Sequence, residues 1–357
     1  MKHGWDCRRL SSARQPFYTG YFAAVMATGI VSSALLLYGR TTASDVLLIL
    51  ASVLYVVLWM AYVKRALINP QGMWRDMRNP ATTFGFFTIV AGSNVLAVRF
   101  LLAHWVGVAL GLGAVGIVVW VLLFYTVMTV LVTGPAVRLT DVNGGWLIAV
   151  VAEQSIATYL AALVDVMPTH GTMLFLVATS LWAMGLMFYV IFLGFIMDRL
   201  FFRAMTFGEL EPPYWINMGA TAITVLASSR LLEVHIRDPA LLTLHPFLQG
   251  ITLMLWAWGS WWIPLLVILG LWKYGRGHER VRYQPAQWSI VFPLGMYATA
   301  TTTMAQLAGF HPLRVVGSGF VWIAVAAWLL VAGLAAGHWI GQWRGASSLR
   351  VRRRTLL

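Results

Sequence analysis

Residues 144–164 read GGWLIAVVAEQSIATYLAALV, a stretch of 21 residues in which Glu153 is the only charged side chain. A single α-helix of about 20 apolar residues crosses the roughly 30 Å hydrocarbon core of a bilayer. Similar stretches recur from near the start of the 357-residue chain to near its end. The chain is 60% hydrophobic and 10% charged, against about 25% charged residues in soluble domains. The sequence therefore predicts an all-α integral membrane protein.

Hydropathy, with charged residues and prolines taken as boundaries, predicts ten transmembrane helices. They cover residues 17–38, 45–67, 81–103, 105–131, 144–164, 172–197, 213–233, 247–273, 286–309 and 316–340. The chain is thereby divided into a basic N-terminal tail at 1–16, a ten-helix domain at 17–340 and a basic C-terminal tail at 341–357.

Basic residues are distributed unevenly between the two sides of this arrangement. Of the 25 Lys and Arg residues, 20 lie in the tails and in loops on one side; the other side holds Arg40, Arg99, Arg230, Arg237 and Arg314. Loops rich in Lys and Arg stay in the cytoplasm. We therefore expect a multi-pass protein of the cell membrane with both termini in the cytoplasm.

A proline precedes each odd-numbered helix on the cytoplasmic side, namely Pro16, Pro80, Pro135, Pro212 with Pro213, and Pro285. Proline suits the first turn of a helix, where its missing N–H is not needed. Each odd-numbered helix thus has a proline at its cytoplasmic start, and the chain is predicted to form five helical hairpins, each beginning at a proline.

Odd and even helices also differ in composition. Odd helices carry small and hydroxyl residues at mid-depth, as in TATTTMAQ at 299–306, whereas even helices are bulkier, as in LMFYVIFLGFI at 186–196. Polar groups are costly against lipid and so face protein or water. We therefore expect the odd helices to form a central pore surrounded by the even ones. The alternative is that these residues serve only close helix packing.

Four stretches resemble those of one known family: YTGYFAAVMATGI (18–30), GGWLIAVVAEQSIA (144–157), PPYWINMGATAIT (212–224) and WSIVFPLGMYATATTTMAQ (288–306). This is the tellurite-resistance/C4-dicarboxylate transporter family, which includes plant guard-cell slow anion channels, fungal malate permeases and sulfite exporters. The resemblance covers about residues 16–340. It implies ten helices in five hairpins, a central pore of odd helices, a homotrimer, and a small anion as substrate.

Phe292 directly precedes Pro293 within the ninth predicted helix. A proline inside a helix removes one backbone hydrogen bond and kinks the helix. The resemblance implies that Phe292 corresponds to a phenylalanine on the family's ninth helix that plugs the pore. We expect Phe292 and Pro293 to form a gate; the alternative is that Phe292 is an ordinary core aromatic.

Arg99 and Arg230 lie at the outer ends of the third and seventh predicted helices. Basic side chains at a pore mouth favour anions, although arginines near helix ends also extend to the membrane interface without further function. The other candidates for lining the pore or binding substrate are neutral donors at mid-depth: Asn94, Asn217, Thr302 and Gln306.

Glu153 falls near the middle of the fifth predicted helix. A charged carboxylate at that depth costs about 2.5–3.5 kcal/mol on insertion scales, and in an anion path it would repel the permeant ion. Three readings remain open: Glu153 points away from the pore, it carries a proton coupled to transport, or it bonds to a neighbouring helix.

Enzymatic and cofactor-dependent functions find no support in the motifs. The eight histidines lie at span ends, in loops or in a tail, Cys7 is the single cysteine, and no HExxH, G-x-S-x-G or Walker motif occurs. The net charge of +13 is explained by topology and by attraction of anions and anionic lipid, so no nucleic-acid partner is expected. The sequence thus predicts an anion transporter without cofactor or metal.

Three transport functions remain open at this stage. One is passive transport of small anions, either C4-dicarboxylates or inorganic anions, gated by Phe292. The second is a proton-coupled C4-dicarboxylate carrier that uses Glu153, and the third is export of an oxyanion such as sulfite or tellurite.

Overall fold

The computed structural model describes residues 17–234, 239–276 and 282–354, in which every regular element is helical. The predicted N-terminal tail at 1–16, with Pro16, lies outside the described residues, as do Arg237 and residues 355–357. The long helices in the described part are α1 Ala23–Leu37, α2 Thr41–Ile68, α3 Thr88–Leu102, α4 Val106–Thr133, α5 Ile148–Val164, α6 Gly171–Phe202, α7 Ile216–Glu233, α8 His245–Arg276, α9 Trp288–Ala308 and α10 His311–Arg354.

Short helical segments connect several of these helices. Two short α-helices, Pro70–Met77 and Pro239–Leu242, precede α3 and α8. Turns of 3₁₀-helix lead into the later odd-numbered helices: Thr83–Phe87, Gly144–Leu147, Pro212–Trp215 and Pro285–Gln287. In the last two turns proline occupies the start, where its missing N–H has no cost.

Seven of the described helices are long and apolar enough to cross a membrane. They comprise all five even-numbered helices together with α3 and α5 and the 3₁₀ turns that precede them. The protein is therefore a multi-pass membrane protein. Helix α1, of 15 residues, is shorter, while α7 and α9 are more polar, so the count of ten spans stays a prediction.

The odd-numbered helices contact one another in a closed ring. Helix α1 packs on α3, α3 on α5, α5 on α7, α7 on α9, and α9 returns to α1. Each odd helix also packs on the even helix that follows it in the chain. The even helices thus lie outside the ring, each joined to it as the second member of an antiparallel pair.

Burial differs sharply between the two sets. In each helix we compared the most apolar stretch of 18 residues. The buried share of that stretch is 94% in the α5 segment and 78% in the α3 segment, but only 22% in α4 and 22% in α10. Large apolar side chains of the even helices are exposed, as at Leu122 and Ile191. Because lipid is itself apolar, such surfaces are favourable in a bilayer.

Glycines on the even helices allow polar side chains of the odd helices to pack closely. A Cβ added to Gly116 of α4 would lie 2.8 Å from the amide of Asn94, and one added to Gly185 of α6 would lie 2.6 Å from Gln154 Nε2. Small residues permit this approach between membrane helices. Gly259 of α8 likewise lets Thr221 of α7 pack closely, and Gly317 of α10 does so for Thr302 of α9.

Helix α10 differs from its predicted extent. The sequence predicts a span ending at residue 340, but the helix continues unbroken to Arg354. No proline occurs between residues 313 and 354, and a helix has no reason to end where it leaves the hydrocarbon. Hydropathy marks the end of an apolar stretch rather than the end of a helix.

Candidate functional site

A narrow cavity lies inside the ring. About 30 Å³ of it is open to water, which is room for about two water molecules. Every lining residue belongs to an odd-numbered helix: Ile30, Ser33 and Leu37 of α1; Asn94, Val95, Val98 and Leu102 of α3; Ser155 and Thr158 of α5; Ile223, Leu226 and Arg230 of α7; Met296 and Thr299 of α9. The five helices therefore enclose one common space.

One end of the cavity is marked by Arg230. Leu37 and Leu102 line the cavity at the same end. Like Arg230, each lies near the C-terminal end of its helix. Among the described residues, Arg230 is the only charged one that lines this cavity. Its Nη1 donates to Oε2 of Glu233 at 2.7 Å, and both side chains are partly exposed. The mouth of the cavity thus carries a cation that is paired within its own helix.

Phe292 lies one helical turn from the cavity, on the side away from Arg230. Met296 and Thr299 line the cavity from α9, and residues three and four apart share a helix face, so Phe292 belongs to the same face. Its ring is 2% exposed. Pro293, inside α9, cannot donate to the carbonyl of Ser289 four residues earlier.

The cavity wall offers few free donors. Its four hydroxyls each donate to a carbonyl of their own helix at 2.6–3.1 Å: Ser33 to Gly29, Ser155 to Ala152, Thr158 to Gln154 and Thr299 to Gly295. Asn94 Nδ2 donates to Val90 O at 3.0 Å and to Ser155 Oγ at 3.1 Å. Because these protons are already engaged, few N–H or O–H groups of the wall are left to hold a ligand tightly.

Arg99, the second predicted mouth residue, is placed differently. It is 1% exposed and is absent from the cavity lining. Its Nε donates to Ser32 Oγ at 3.0 Å, and its Nη2 donates to Ser44 Oγ at 2.9 Å and to Asp45 Oδ1 at 2.7 Å. The guanidinium therefore joins α1, α2 and α3 rather than facing the cavity.

Glu153 faces away from the cavity. It stands two and five residues from the lining residues Ser155 and Thr158, which at 100° per residue places it about 160° and 140° from them around α5. Its Oε2 lies 3.3 Å from the position that a Cβ on Gly185 of α6 would take. The side chain is 1% exposed, and its Oε1 has no hydrogen-bond partner among the described residues.

The remaining polar candidates are spread over several environments. Asn94 lines the cavity. Asn217 is buried and donates to Tyr214 O at 3.0 Å. Thr302 meets Tyr38 Oη at 2.8 Å beside α10, and Gln306 is exposed near the C-terminal end of α9. Of these four residues, the structure brings only Asn94 into the lining.

The sequence candidates did not include the apolar part of the lining, such as Ile30, Leu226 and Met296. The signal that leads to them is helical spacing. Counting three or four residues back from Arg230 gives Leu226 and then Ile223, and counting forward from Phe292 gives Met296 and then Thr299. Polarity alone overlooks these positions.

Comparison with known proteins agrees with this architecture. The family model described as SLAC1, voltage-dependent anion channel, matches residues 16–336. The chain belongs to this family. The resemblance inferred from the four sequence stretches is thereby confirmed, and the family is one of channels and transporters rather than of enzymes.

Two relatives match over most of the chain and a third over less than half of it. A protein named as an uncharacterized transporter of Methanocaldococcus jannaschii is 24% identical over 340 residues, which is 88% of this chain and 92% of the relative. A sulfite efflux pump of Arthroderma otae is 24% identical over 344 residues, 89% of each chain. An uncharacterized membrane protein of Mycobacterium tuberculosis is 35% identical over 142 residues, 40% of this chain and 72% of its own length.

Proposed function

We propose that the protein lets small anions cross the cell membrane through the ring of α1, α3, α5, α7 and α9. The observation that carries this proposal is that, in the described part of the chain, all five of these helices and no even-numbered helix line one cavity. In this arrangement the chain crosses the membrane ten times, with both termini in the cytoplasm.

Passage is controlled by Phe292 in this proposal. Phe292 shares the face of α9 that carries the lining residues Met296 and Thr299, and the cavity one turn away has room for about two water molecules. Arg230 attracts anions to the opposite end, and the weakly polar wall between them holds an anion only briefly. The hydrogen bond missing at Pro293 makes α9 easier to deform beside the gate than elsewhere along its length.

The substrate proposed first is a small inorganic anion or a C4-dicarboxylate. Export of an oxyanion is a second candidate, supported by the relative that is named a sulfite efflux pump; tellurite export rests on the resemblance alone. Proton-coupled dicarboxylate transport would need Glu153 to act from the far side of α5, separated from the cavity by its own helix.

Assembly as a homotrimer is proposed on the family resemblance. The extensive apolar surface of the even helices is available for contact with lipid or with other subunits. Native mass spectrometry of the protein released from detergent tests the trimer, and a dominant monomer or dimer would contradict it.

The central experiment compares anion flux into liposomes for the wild type, Phe292→Ala and Phe175→Ala. Phe175 of α6 is also buried, at 0% exposure against 2% for Phe292, but lies outside the ring, so its variant controls for loss of a core aromatic. We expect Phe292→Ala to raise flux several-fold and Phe175→Ala not to. Chloride, nitrate, sulfite and malate are compared in turn to identify the substrate. Equal effects of the two variants would contradict the gate, and absence of flux of every anion in all three proteins would contradict the proposed function.

A further inference from the structure

We propose that Glu233 determines specificity by neutralising Arg230, so that the mouth of the cavity admits monovalent anions and disfavours divalent ones. This inference rests on the proposed function and names the charge class of its substrate. Glu233 is not itself in the cavity lining and acts through Arg230.

The first support is geometric. Arg230 Nη1 and Glu233 Oε2 are 2.7 Å apart, with exposed fractions of 23% and 28% for the two side chains. An anion that reaches Arg230 therefore meets a cation with one N–H donor already engaged and a carboxylate beside it. The carboxylate stays close to Arg230, because Glu233 follows three residues later on the same helix.

The second support is that stability gives little reason for this pair. Glu233 is the last residue of α7, and a carboxylate at a helix C-terminus opposes the helix dipole. Within a helix, an acidic residue placed before its basic partner is the more favourable order, whereas here Arg230 comes first. Partly exposed ion pairs contribute little to stability in any case.

The consequence for selectivity follows from Coulomb's law. The repulsion between Glu233 and a permeant anion is proportional to the charge of the anion. Any factor by which Glu233 weakens the binding of a monovalent anion is therefore approximately squared for a divalent one. A paired arginine thus filters by charge, whereas an unpaired arginine would bind divalent anions most tightly.

A matched control exists in the same molecule. Asp45 pairs with Arg99 at the same 2.7 Å, near the same end of the ring, but Arg99 does not line the cavity. Asp45→Asn therefore removes the same charge from a similar pair at the same end. The pairs differ in burial, since Asp45 is 63% exposed and Glu233 28%, but the decisive difference is that only Arg230 lines the cavity.

The test measures the half-saturating concentration and the maximal flux of chloride and of sulfate in liposomes, in the Phe292→Ala background. For Glu233→Gln we expect the half-saturating concentration to fall about two- to fivefold for chloride. For sulfate we expect a fall of about four- to twenty-five-fold, the square of the chloride factor.

Glu233→Asp, which keeps the charge, should resemble the parent, and Asp45→Asn should leave both values unchanged. In Arg230→Gln/Glu233→Gln the advantage of sulfate over chloride should disappear.

Several results would overturn the inference. One is an equal fall for chloride and sulfate, and another is the same change in Asp45→Asn, which would indicate a general surface-charge effect. A third is a sulfate advantage over chloride that persists in Arg230→Gln/Glu233→Gln, where neither charge remains. Anion binding can also be measured without flux, as the rise in Tm of the purified protein when chloride or sulfate is added. The rise in Tm on adding sulfate should be larger in Glu233→Gln than in the parent. If Phe292→Ala passes no anion at all, the proposed function itself fails, which is distinct from conduction that is indifferent to Glu233.

Discussion

At the scale of single residues, Arg99 and Arg230 stand near the same end of the ring in different surroundings. Arg99 is buried and bonded to three side chains of α1 and α2, whereas Arg230 lines the cavity. Hydrogen bonds to a charged group contribute about 1.5–3 kcal/mol, so we expect Arg99→Gln to lower the free energy of unfolding by about that amount. Arg230→Gln should instead raise the half-saturating anion concentration with little loss of Tm. Thermal unfolding in detergent and liposome flux measure the two effects; a selectivity change in Arg99→Gln at normal Tm would contradict this assignment.

Glu153 permits a second prediction at the same scale. Its carboxyl lies on the side of α5 away from the cavity, next to Gly185, so Glu153→Gln keeps the shape and removes only the titratable proton. We expect flux and its dependence on the pH gradient to remain unchanged. The measurement is anion uptake with and without an imposed pH gradient. Uptake that is driven by the gradient in the wild type but not in the variant would revive the proton-coupled carrier.

At the scale of elements, the contact between α7 and α9 sets the position of the proposed gate. A Cβ on Gly219 would lie 2.8 Å from Pro293 Cγ, too close for either helix to stay in place. Overpacking of this kind costs about 1–3 kcal/mol, so we expect Gly219→Ala to lower Tm and to raise basal anion leak by displacing α9 beside Phe292. Gly194→Ala is the control, because an added Cβ there meets nothing within 4 Å. A leak-free Gly219→Ala with unchanged Tm would argue against a tight contact at this point.

At the scale of the whole molecule, the uneven distribution of basic residues predicts which way the protein faces. Cys7, the only cysteine, lies in the predicted cytoplasmic tail and outside the described residues. We expect a membrane-impermeant maleimide to label it only after cells are permeabilised. The reciprocal protein, Cys7→Ser/Asp45→Cys, should be labelled in intact cells, since Asp45 is 63% exposed and belongs to the opposite side. Labelling of Cys7 in intact cells would reverse the proposed orientation.

Several features could be read from the sequence alone because they depend on composition and spacing. Long apolar stretches determined the all-helical membrane class, and the four motif stretches determined the family, as the match over residues 16–336 confirms. The polar character of alternate helices also predicted which ones would be inside. The contact ring and the burial of α3 and α5 agree with that prediction, while the count of ten spans stays a prediction.

Tertiary structure decided which residues of each inner helix face the cavity. In a soluble helix the apolar stripe fixes rotation about the axis, but a ring helix of this protein is buried on nearly all sides, as 94% of the α5 stretch is. Its sequence therefore has no stripe from which to read its rotation. Only packing against specific neighbours turns Arg230 inward, Arg99 toward Asp45 and Glu153 toward Gly185. For that reason the sequence determined the membrane class and the family, and tertiary contacts alone determined the lining of the cavity.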